Sequence, residues 1–309
     1  MSKTSELYDL ILKKNDPELN AYLDVLKTLT TEVQEPVPSA PVSSTSVPSV
    51  ESSEFEKLKK LLESDAWPAA VDSTLICDPN SEEDKLNRAE GILELLIEES
   101  LENKKFLDFG CGEGHVPFKA IEQKVSTSVG YDIKEDAHWN DFKNCILTTD
   151  LEIVKSNGPY DVILVYDVLD HIEQSAMVGV LTQIKDLLSD SGTVYLRTHP
   201  FCSRHATHLY HKINKAFIHL VFTADELTKL GYETPVNASV VYPGWYYATI
   251  LKPIFKTINS NTLRERVEDF FKNTPIIKKR IKNNYKDEKR WDFPDKQCEQ
   301  QFLDYVLKK

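Results

Sequence analysis

The stretch LDFGCGEG, residues 107–114, is the first place where residue types and spacing suggest chemistry. It joins one acid, Asp108, to three of the chain's ten glycines, at Gly110, Gly112 and Gly114. Glycines in a strand–helix turn let backbone N–H groups and the start of the helix approach a ligand closely. A dinucleotide fold would need glycine where His115 stands, and a P-loop would need a Gly-Lys-Ser/Thr sequence that is absent. The pattern therefore indicates a ligand of another class.

The elements around this stretch predict an α/β fold. Strand-like runs occupy residues 104–109, 128–133, 145–150, 160–167 and 192–198, and helix-like segments separate most of them. This alternation is typical of a parallel sheet covered on both faces, which binds ligands beyond the C-terminal ends of its strands. The runs 237–242 and 245–251 flank the two-residue turn Pro243-Gly244, which predicts an antiparallel hairpin at the end of the sheet.

Together these features resemble the class I S-adenosylmethionine-dependent methyltransferases over roughly residues 85–250. Asp108 with the glycines matches the first motif of that family. Asp132, eighteen residues beyond Gly114, matches the acid that grips both ribose hydroxyls, and Asp150 in TTDL matches the acid near the adenine. The run YDVILVYDVLDHI (160–172) matches the pattern of strand four. The resemblance implies a Rossmann-like, doubly wound, mostly parallel seven-stranded sheet that ends in an antiparallel hairpin, with helical extensions at both ends.

The resemblance also implies a cofactor, S-adenosylmethionine, and residues that hold it. Asp108 would contact the ammonium directly or through the loop, and Tyr166 and Asp167 would flank the sulfonium. The other cofactor-binding residues expected are Gly110, Cys111, Gly112, Gly114, Asp132, Ile133, Asp150 and Leu151. We interpret Cys111 as a small residue that fills the loop rather than as a nucleophile.

The segment 197–223 after strand five is the best candidate for the acceptor site. Plotted as a helix, residues 205–220 place an apolar arc opposite an arc of histidines and Lys215. Three alternatives stay open: a solvated polar face, a wall of the acceptor site, and a metal site built on His-x-x-His-x-x-His, for which no suitably spaced carboxylate is present. We therefore assign no metal ligands from the sequence. The expected catalytic residues are His171 and His208, and the expected substrate-binding residues are His199, Arg204, His205 and His211.

Composition shifts divide the chain into four parts. Residues 1–34 predict a tethered helical element that binds a partner protein or another copy, and the Pro/Ser-rich residues 35–53 predict a flexible linker. Residues 54–250 are expected to form the methyltransferase domain with a helical lead-in, its core lying at 85–250. Residues 251–309 predict a basic helical extension, with 15 Lys+Arg against 9 Asp+Glu in a chain of net charge −12.

Composition also excludes several classes. No window is apolar enough to span a membrane, no leader is expected, and five scattered cysteines favour the cytoplasm. Signatures of DNA base methylation are absent, so no DNA partner is expected. The sequence predicts transfer of a methyl group to a small-molecule or glycan-like acceptor. Two alternatives remain, namely a methyltransferase-fold scaffold protein docked through its N-terminal helix and an RNA methyltransferase that uses the basic segment 278–291.

Overall fold

The computed structural model of the protein describes residues 51–70, 81–207, 209–232, 241–285 and 295–309. The chain divides into two units, residues 1–44 and 45–309, and every described residue belongs to the second. The predicted helical element at 1–34 and most of the predicted linker at 35–53 lie outside the described residues. The first described helix begins at Glu51, so the last three residues expected in the linker are helical instead.

Seven strands form one sheet within the described residues. They are β1 (Lys105–Phe109), β2 (Thr127–Tyr131), β3 (Ile146–Thr148), β4 (Tyr160–Tyr166), β5 (Leu188–Thr198), β6 (Lys256–Arg264) and β7 (Gln300–Lys308). The sheet order is β3-β2-β1-β4-β5-β7-β6, and β1 to β5 pair in parallel. The direction of winding reverses between β1 and β4, where ligands bind in open sheets of this kind. All five parallel strands coincide with predicted strand runs.

Ten α-helices are found in the described part of the chain. They are α1 (Glu51–Leu62), α2 (Glu82–Leu96), α3 (His115–Ala120), α4 (Leu151–Asn157), α5 (Gln174–Leu187), α6 (Ile218–Val221), α7 (Ala224–Lys229), α8 (Gly244–Leu251), α9 (Glu268–Asn273) and α10 (Pro275–Asn284). One core cluster packs β1 and β4 against α2 through Phe106, Val162 and Leu93. A second cluster joins α1 to the segment after β5, where Trp67 stacks on Phe222 with ring centroids 5.9 Å apart.

The sheet does end in antiparallel strands, but the predicted hairpin was wrong. The run 245–251 lies in α8, and only residues 241 and 242 of its expected partner are described. Buried Tyr246, Tyr247, Ile250 and Leu251 recur at helical spacing, and Pro243 is the N-cap. The antiparallel strands are instead β6 and β7.

These two strands come from residues 251–309, which were expected to be a helical extension. Helices α9 and α10 fit that expectation, whereas β6 and β7 extend the sheet beyond residue 250. Along β7 every second residue is buried, at Gln301, Leu303, Tyr305 and Leu307. This period of two is the sequence signal of a strand with one buried face. Arg197 of β5 also binds Asp304 of β7 through two hydrogen bonds, of 2.6 and 2.7 Å.

Candidate functional site

The loop between β1 and α3 holds the glycines in a conformation that side chains disfavour. Gly110 and Gly114 have φ angles of +91° each, in the left-handed region. A Cβ atom at Gly110 would also collide with the side chain of Val168. The N–H groups of Gly110 and Cys111 both donate to the carbonyl oxygen of Tyr131, at 2.7 and 3.0 Å. The backbone of the loop is therefore fixed against the end of β2.

Asp132, directly after β2, faces this loop. Its Oδ2 accepts a hydrogen bond of 2.9 Å from the N–H of Gly112, and its Oδ1 accepts one of 3.2 Å from the N–H of Lys134. The carbonyl of Gly112 in turn accepts a hydrogen bond of 2.8 Å from the indole N–H of Trp139. Nothing lies within 4 Å of the position that a Cβ of Gly112 would take, so the loop has an open side. The sequence pointed to Asp132, but it gave no sign of Trp139.

A cleft of about 520 Å³ opens beside the loop. Its volume lies within the usual range for small-molecule and cofactor sites. Its lining residues are Lys85, Arg88, Ala89, Ile92, Asp108, Gly110, Cys111, Gly112, Glu113, His115, Val116 and Tyr166. The sequence reasoning missed the two cations, Lys85 and Arg88. Their spacing of three residues on α2, which places both on one helix face, is the signal that could have found them.

Two titratable groups in the cleft are buried. Asp108 is 3% exposed, and burial, together with the negative charge of Asp132, raises its pKa to about 8. The carboxyl group is therefore largely protonated at neutral pH while no cation lies beside it. Burial likewise raises the pKa of the Cys111 thiol well above its ordinary value. Cys111 consequently stays protonated, as expected of a residue that fills space rather than one that attacks.

The residues expected near the adenine lie at the ends of β2 and β3. Ile133 is 88% exposed, which is unusual for a large apolar side chain, and it does not line the cleft. Asp150 caps α4, because its Oδ1 accepts a hydrogen bond of 2.8 Å from the N–H of Glu152. Leu151 is the first residue of α4 and is half-buried. Asp150 thus has a structural role as a helix cap that the sequence reasoning did not consider.

A cluster of acids and imidazoles lies where β4 and β5 end side by side. Asp167 follows β4 with a φ of +53°, and its N–H donates to the carbonyl of Arg197 at 3.0 Å. His199 follows β5 and is 2% exposed. Its Nδ1 lies 3.6 Å from Oδ1 of Asp167, and its Nε2 lies 3.3 Å from Oδ2 of the fully buried Asp170. Asp170 was not singled out in the sequence, although it sits three residues after Asp167.

The negative charges of the two aspartates determine the direction in which the pKa of His199 is shifted. Burial opposes the charged form of His199, but the two aspartates outweigh burial and raise its pKa to about 9. His171, expected to be catalytic, reaches the same cluster: its Nε2 lies 3.4 Å from Oδ2 of Asp170, and its side chain is about half exposed. His205 also approaches, with its ring centroid 5.2 Å from that of His199.

The predicted single helix over residues 205–220 was wrong. The described residues there form a 3₁₀ turn, Leu209–His211, then irregular backbone and the short α6, while His208 lies outside the described residues. Hydrogen bonds to distant backbone groups replace helical ones: the N–H of Ala216 donates to Pro68, and that of Phe217 to Arg204. Phe217 itself has a φ of +60°, which a helix interior does not allow. The apolar arc is nevertheless buried, at Ala206, Leu209, Ile213, Ala216, Phe217 and Leu220.

The histidines described in this segment therefore do not share one surface. The Nε2–H of His219 donates a hydrogen bond of 2.8 Å to the carbonyl of Phe201, and burial lowers the pKa of His219 to about 4. His211 is exposed and lies against the ring of Tyr210. Arg204, expected to bind substrate, instead pairs with Glu265 and donates to the carbonyl of Ala69.

Comparisons with known proteins agree with this geometry. A family described as a methyltransferase domain matches residues 82–234. No curated protein matches the chain at a significant level. No helix in the described ranges combines the length and the apolar character needed to cross a membrane.

Several solved structures are similar to the chain at low identity. A methyltransferase from Archaeoglobus fulgidus is 17% identical with a TM-score of 0.43, covering 72% of this chain and 94% of its own. Coclaurine N-methyltransferase bound to N-methylheliamine and S-adenosylhomocysteine is 12% identical with a TM-score of 0.44, covering all of both chains. A Burkholderia thailandensis 1,6-didemethyltoxoflavin-N1-methyltransferase is 13% identical with a TM-score of 0.42, covering 88% and 94%. At these values the likenesses say nothing about the acceptor.

The matched region runs from α2 across the five parallel strands and includes the loop whose open glycine backbone meets the carboxylate of Asp132. An anionic side chain beside free space and buried acid fits a cationic, sugar-bearing ligand. The protein is therefore a class I S-adenosylmethionine-dependent methyltransferase, with S-adenosylmethionine as its cofactor.

Proposed function

We propose that the protein methylates a small-molecule or glycan-like acceptor held where β4 and β5 end. The observation that carries this proposal is the enclosure of that region. The segment after β5 leaves His199 only 2% exposed, and Ser203 and Thr207 within the segment are also buried. A region covered in this way suits a compact molecule better than a polymer, because a polymer would need an open groove along which to lie.

The cofactor site is assigned along the edge formed by β1, β2 and β4. The loop residues Gly110, Cys111, Gly112 and Gly114 hold the methionine end, and Asp132 binds the ribose hydroxyls. Asp108 is 3% exposed, and the ammonium of a bound cofactor would lower the pKa of its carboxyl group and favour the ionised form. Ile133, Asp150 and Leu151 would hold the adenine, and Tyr166 and Asp167 would lie beside the sulfonium.

The chemistry asked of the protein is mainly positioning. The bound cofactor supplies an electrophilic methyl group on a sulfonium. The protein must align an acceptor lone pair with the sulfur–methyl bond and exclude water. The segment after β5, which buries His199, serves to exclude water. His171, half exposed beside Asp170, is the histidine placed to take a proton from an acceptor that carries one. The other expected catalytic residue, His208, lies outside the described residues.

The two alternative functions, an RNA methyltransferase and a scaffold protein, have less support. The cations of α10 that were expected to contact RNA include Arg280, which binds Glu226 at 2.6 Å, and Lys278, which binds Asp295 at 2.5 Å. Both charges are therefore compensated within the protein. Docking through residues 1–34 remains a proposal about a part of the chain outside the described residues. The cysteines described, at Cys111, Cys145, Cys202 and Cys298, are free thiols, which supports a cytoplasmic location.

Titration calorimetry with S-adenosylmethionine tests the cofactor site. Replacement of Asp132 by Ala removes a charge-assisted hydrogen-bond acceptor, which typically costs about 1.5–3 kcal/mol, or roughly 10- to 150-fold in affinity. Asp186→Ala, which removes an exposed acid of α5, is the matched control and should leave the affinity unchanged. Equal affinities for all three proteins would mean that Asp132 does not hold the ribose.

Acceptor identity is tested by incubating the protein with S-adenosylmethionine and pools of hydroxyl-, amine- and glycan-bearing compounds, and measuring S-adenosylhomocysteine. We expect turnover with a compact acceptor. Turnover with RNA alone, falling steeply with salt, would instead favour the nucleic-acid alternative.

A further inference from the structure

We propose that Asp167, Asp170 and His199 form a binding site for one divalent cation of the first transition series. One carboxylate oxygen from each aspartate and one ring nitrogen of the histidine lie within 4.8 Å of one another. Atoms bound to a common ion at about 2.1 Å lie roughly 3–4 Å apart. Side-chain movements of less than about 1 Å therefore bring this set into range. Asp167 is shared with the proposed cofactor site, where it lies beside the sulfonium, whereas Asp170 and His199 are not assigned to that site.

The fold fixes these three side chains independently of any ligand. Asp167 comes at the end of β4 and His199 at the end of β5, and the two strands pair in parallel up to Tyr166 and Arg197. Asp170 lies in the 3₁₀ turn Leu169–His171 that follows β4 and is 0% exposed. Because the cost of ordering the side chains is met when the sheet forms, the set is preorganised for a ligand.

The negative charge of the two carboxylates favours the binding of a dication at this set. Two carboxylates brought close together in a buried place repel each other, and this repulsion favours a cation between them. Arg197 of β5 already makes two hydrogen bonds to Asp304, of 2.6 and 2.7 Å. Two carboxylates, a neutral imidazole and an ion of charge +2 sum to zero.

The types of the ligands indicate which ions suit the site. Carboxylates suit hard ions such as Mg²⁺ and Mn²⁺, and an imidazole nitrogen adds preference for first-row transition metals. The mixed set therefore favours Mn²⁺, Co²⁺ or Zn²⁺ over Ca²⁺. His171 could add a further nitrogen, because its Nε2 lies 3.4 Å from the same Asp170 oxygen.

The position of the site suggests what the ion does. Tyr166, which lines the cleft, immediately precedes Asp167. An ion there would hold an oxygen of the acceptor, a hydroxyl or a carboxylate, at the strand ends where the methyl group is to be delivered. This restriction to oxygen-bearing acceptors rests on the proposed function, whereas binding of the ion itself does not.

The test uses the full chain, treated with a chelator and titrated with Mn²⁺, with the free ion followed by its electron paramagnetic resonance signal. We expect one Mn²⁺ per chain and at least about tenfold weaker binding in Asp170→Asn and His199→Gln. Asp136→Asn is the matched control: it removes a carboxylate from a surface pair in which Asp136 lies 2.7 Å from His138, and it should bind Mn²⁺ as the wild type does.

Asp167→Asn keeps the test decisive if the buried substitutions prevent folding, because the Asp167 side chain is 19% exposed. It too should weaken Mn²⁺ binding at least about tenfold while circular dichroism shows a folded protein. The proposal is overturned if the wild type binds no Mn²⁺ at millimolar concentration, or if a folded Asp167 or Asp170 variant binds it as well as the wild type does. Calorimetry with S-adenosylmethionine on the same samples separates this outcome from failure of the proposed function: cofactor binding without Mn²⁺ binding refutes only the metal site.

Discussion

The buried carboxyl group of Asp108 allows a quantitative prediction about stability and pH. Its pKa is about 8 in the folded protein, because it is buried and faces the charge of Asp132, whereas an unfolded chain has an ordinary aspartate pKa of about 3.9. The folded state therefore holds a proton that the unfolded state releases between about pH 4 and pH 8. Within that window, rising pH favours the unfolded state, and the contribution of Asp108 to stability is lost as the pH approaches 8.

Replacement of Asp108 by Asn removes this titration while keeping the shape of the side chain. One pKa unit corresponds to about 1.4 kcal/mol, so the free energy of unfolding of Asp108→Asn should gain about 1.4 kcal/mol per pH unit relative to wild type. Between pH 5 and pH 7 the difference should thus grow by about 2.7 kcal/mol. All other titrating groups are shared by the two proteins and cancel in the comparison.

Urea denaturation of both proteins at pH 5, 6 and 7, without cofactor, measures this difference. Asp186→Asn, which removes an exposed acid of α5, should run parallel to the wild type. If the stability curves of wild type and Asp108→Asn are parallel instead, the carboxyl group is not held protonated by the fold. The same variant should bind S-adenosylmethionine more weakly, and the wild type should release up to one proton on binding at pH 7, measured by calorimetry in buffers of different ionisation enthalpy.

Three further substitutions test how the site is supported. Gly110→Ala should lower the free energy of unfolding by about 1–3 kcal/mol in urea denaturation, because it strains a φ of +91° and collides with Val168; a neutral result would mean that the loop relaxes easily. Trp139→Phe removes the hydrogen bond to the loop carbonyl, so calorimetry should show roughly 3- to 10-fold weaker cofactor binding, and unchanged affinity would mean that this bond does not hold the loop. Asp304→Asn leaves the buried Arg197 uncompensated and should cost about 3–5 kcal/mol in thermal or urea unfolding, whereas a cost below about 1 kcal/mol would mean that water solvates the arginine.

Local patterns made the cofactor half of the protein predictable. The strand run before Asp108, the glycines after it and the acid eighteen residues later are read within short windows, and the five parallel strands form where those windows predict them. In a buried parallel strand the apolar run, the turn residues and the helix that follows all favour the same conformation.

The region after β5 was not predictable in this way. Residues 205–220 have a helical arrangement of apolar positions, and these positions are indeed buried. However, the N–H groups of Ala216 and Phe217 donate to the carbonyls of Pro68 and Arg204 and not to the preceding helical turn. The run 245–251 is rich in strand-favouring aromatic residues, yet it is helical, with Tyr246, Tyr247, Ile250 and Leu251 buried while Trp245 and Ala248 are exposed. In both places burial by distant parts of the chain overrode local propensity.

The sequence by itself determined the glycine loop, the acid that faces it and the parallel sheet behind them, because these depend on neighbours along the chain. Only the tertiary structure decided that β6 and β7 complete the sheet, that the described histidines after β5 go to separate places, and that His199 joins Asp167 and Asp170. The physical reason is distance along the chain. Asp170 and His199 are twenty-nine residues apart in sequence, and only the parallel pairing of β4 with β5 brings a carboxylate and an imidazole within 3.3 Å.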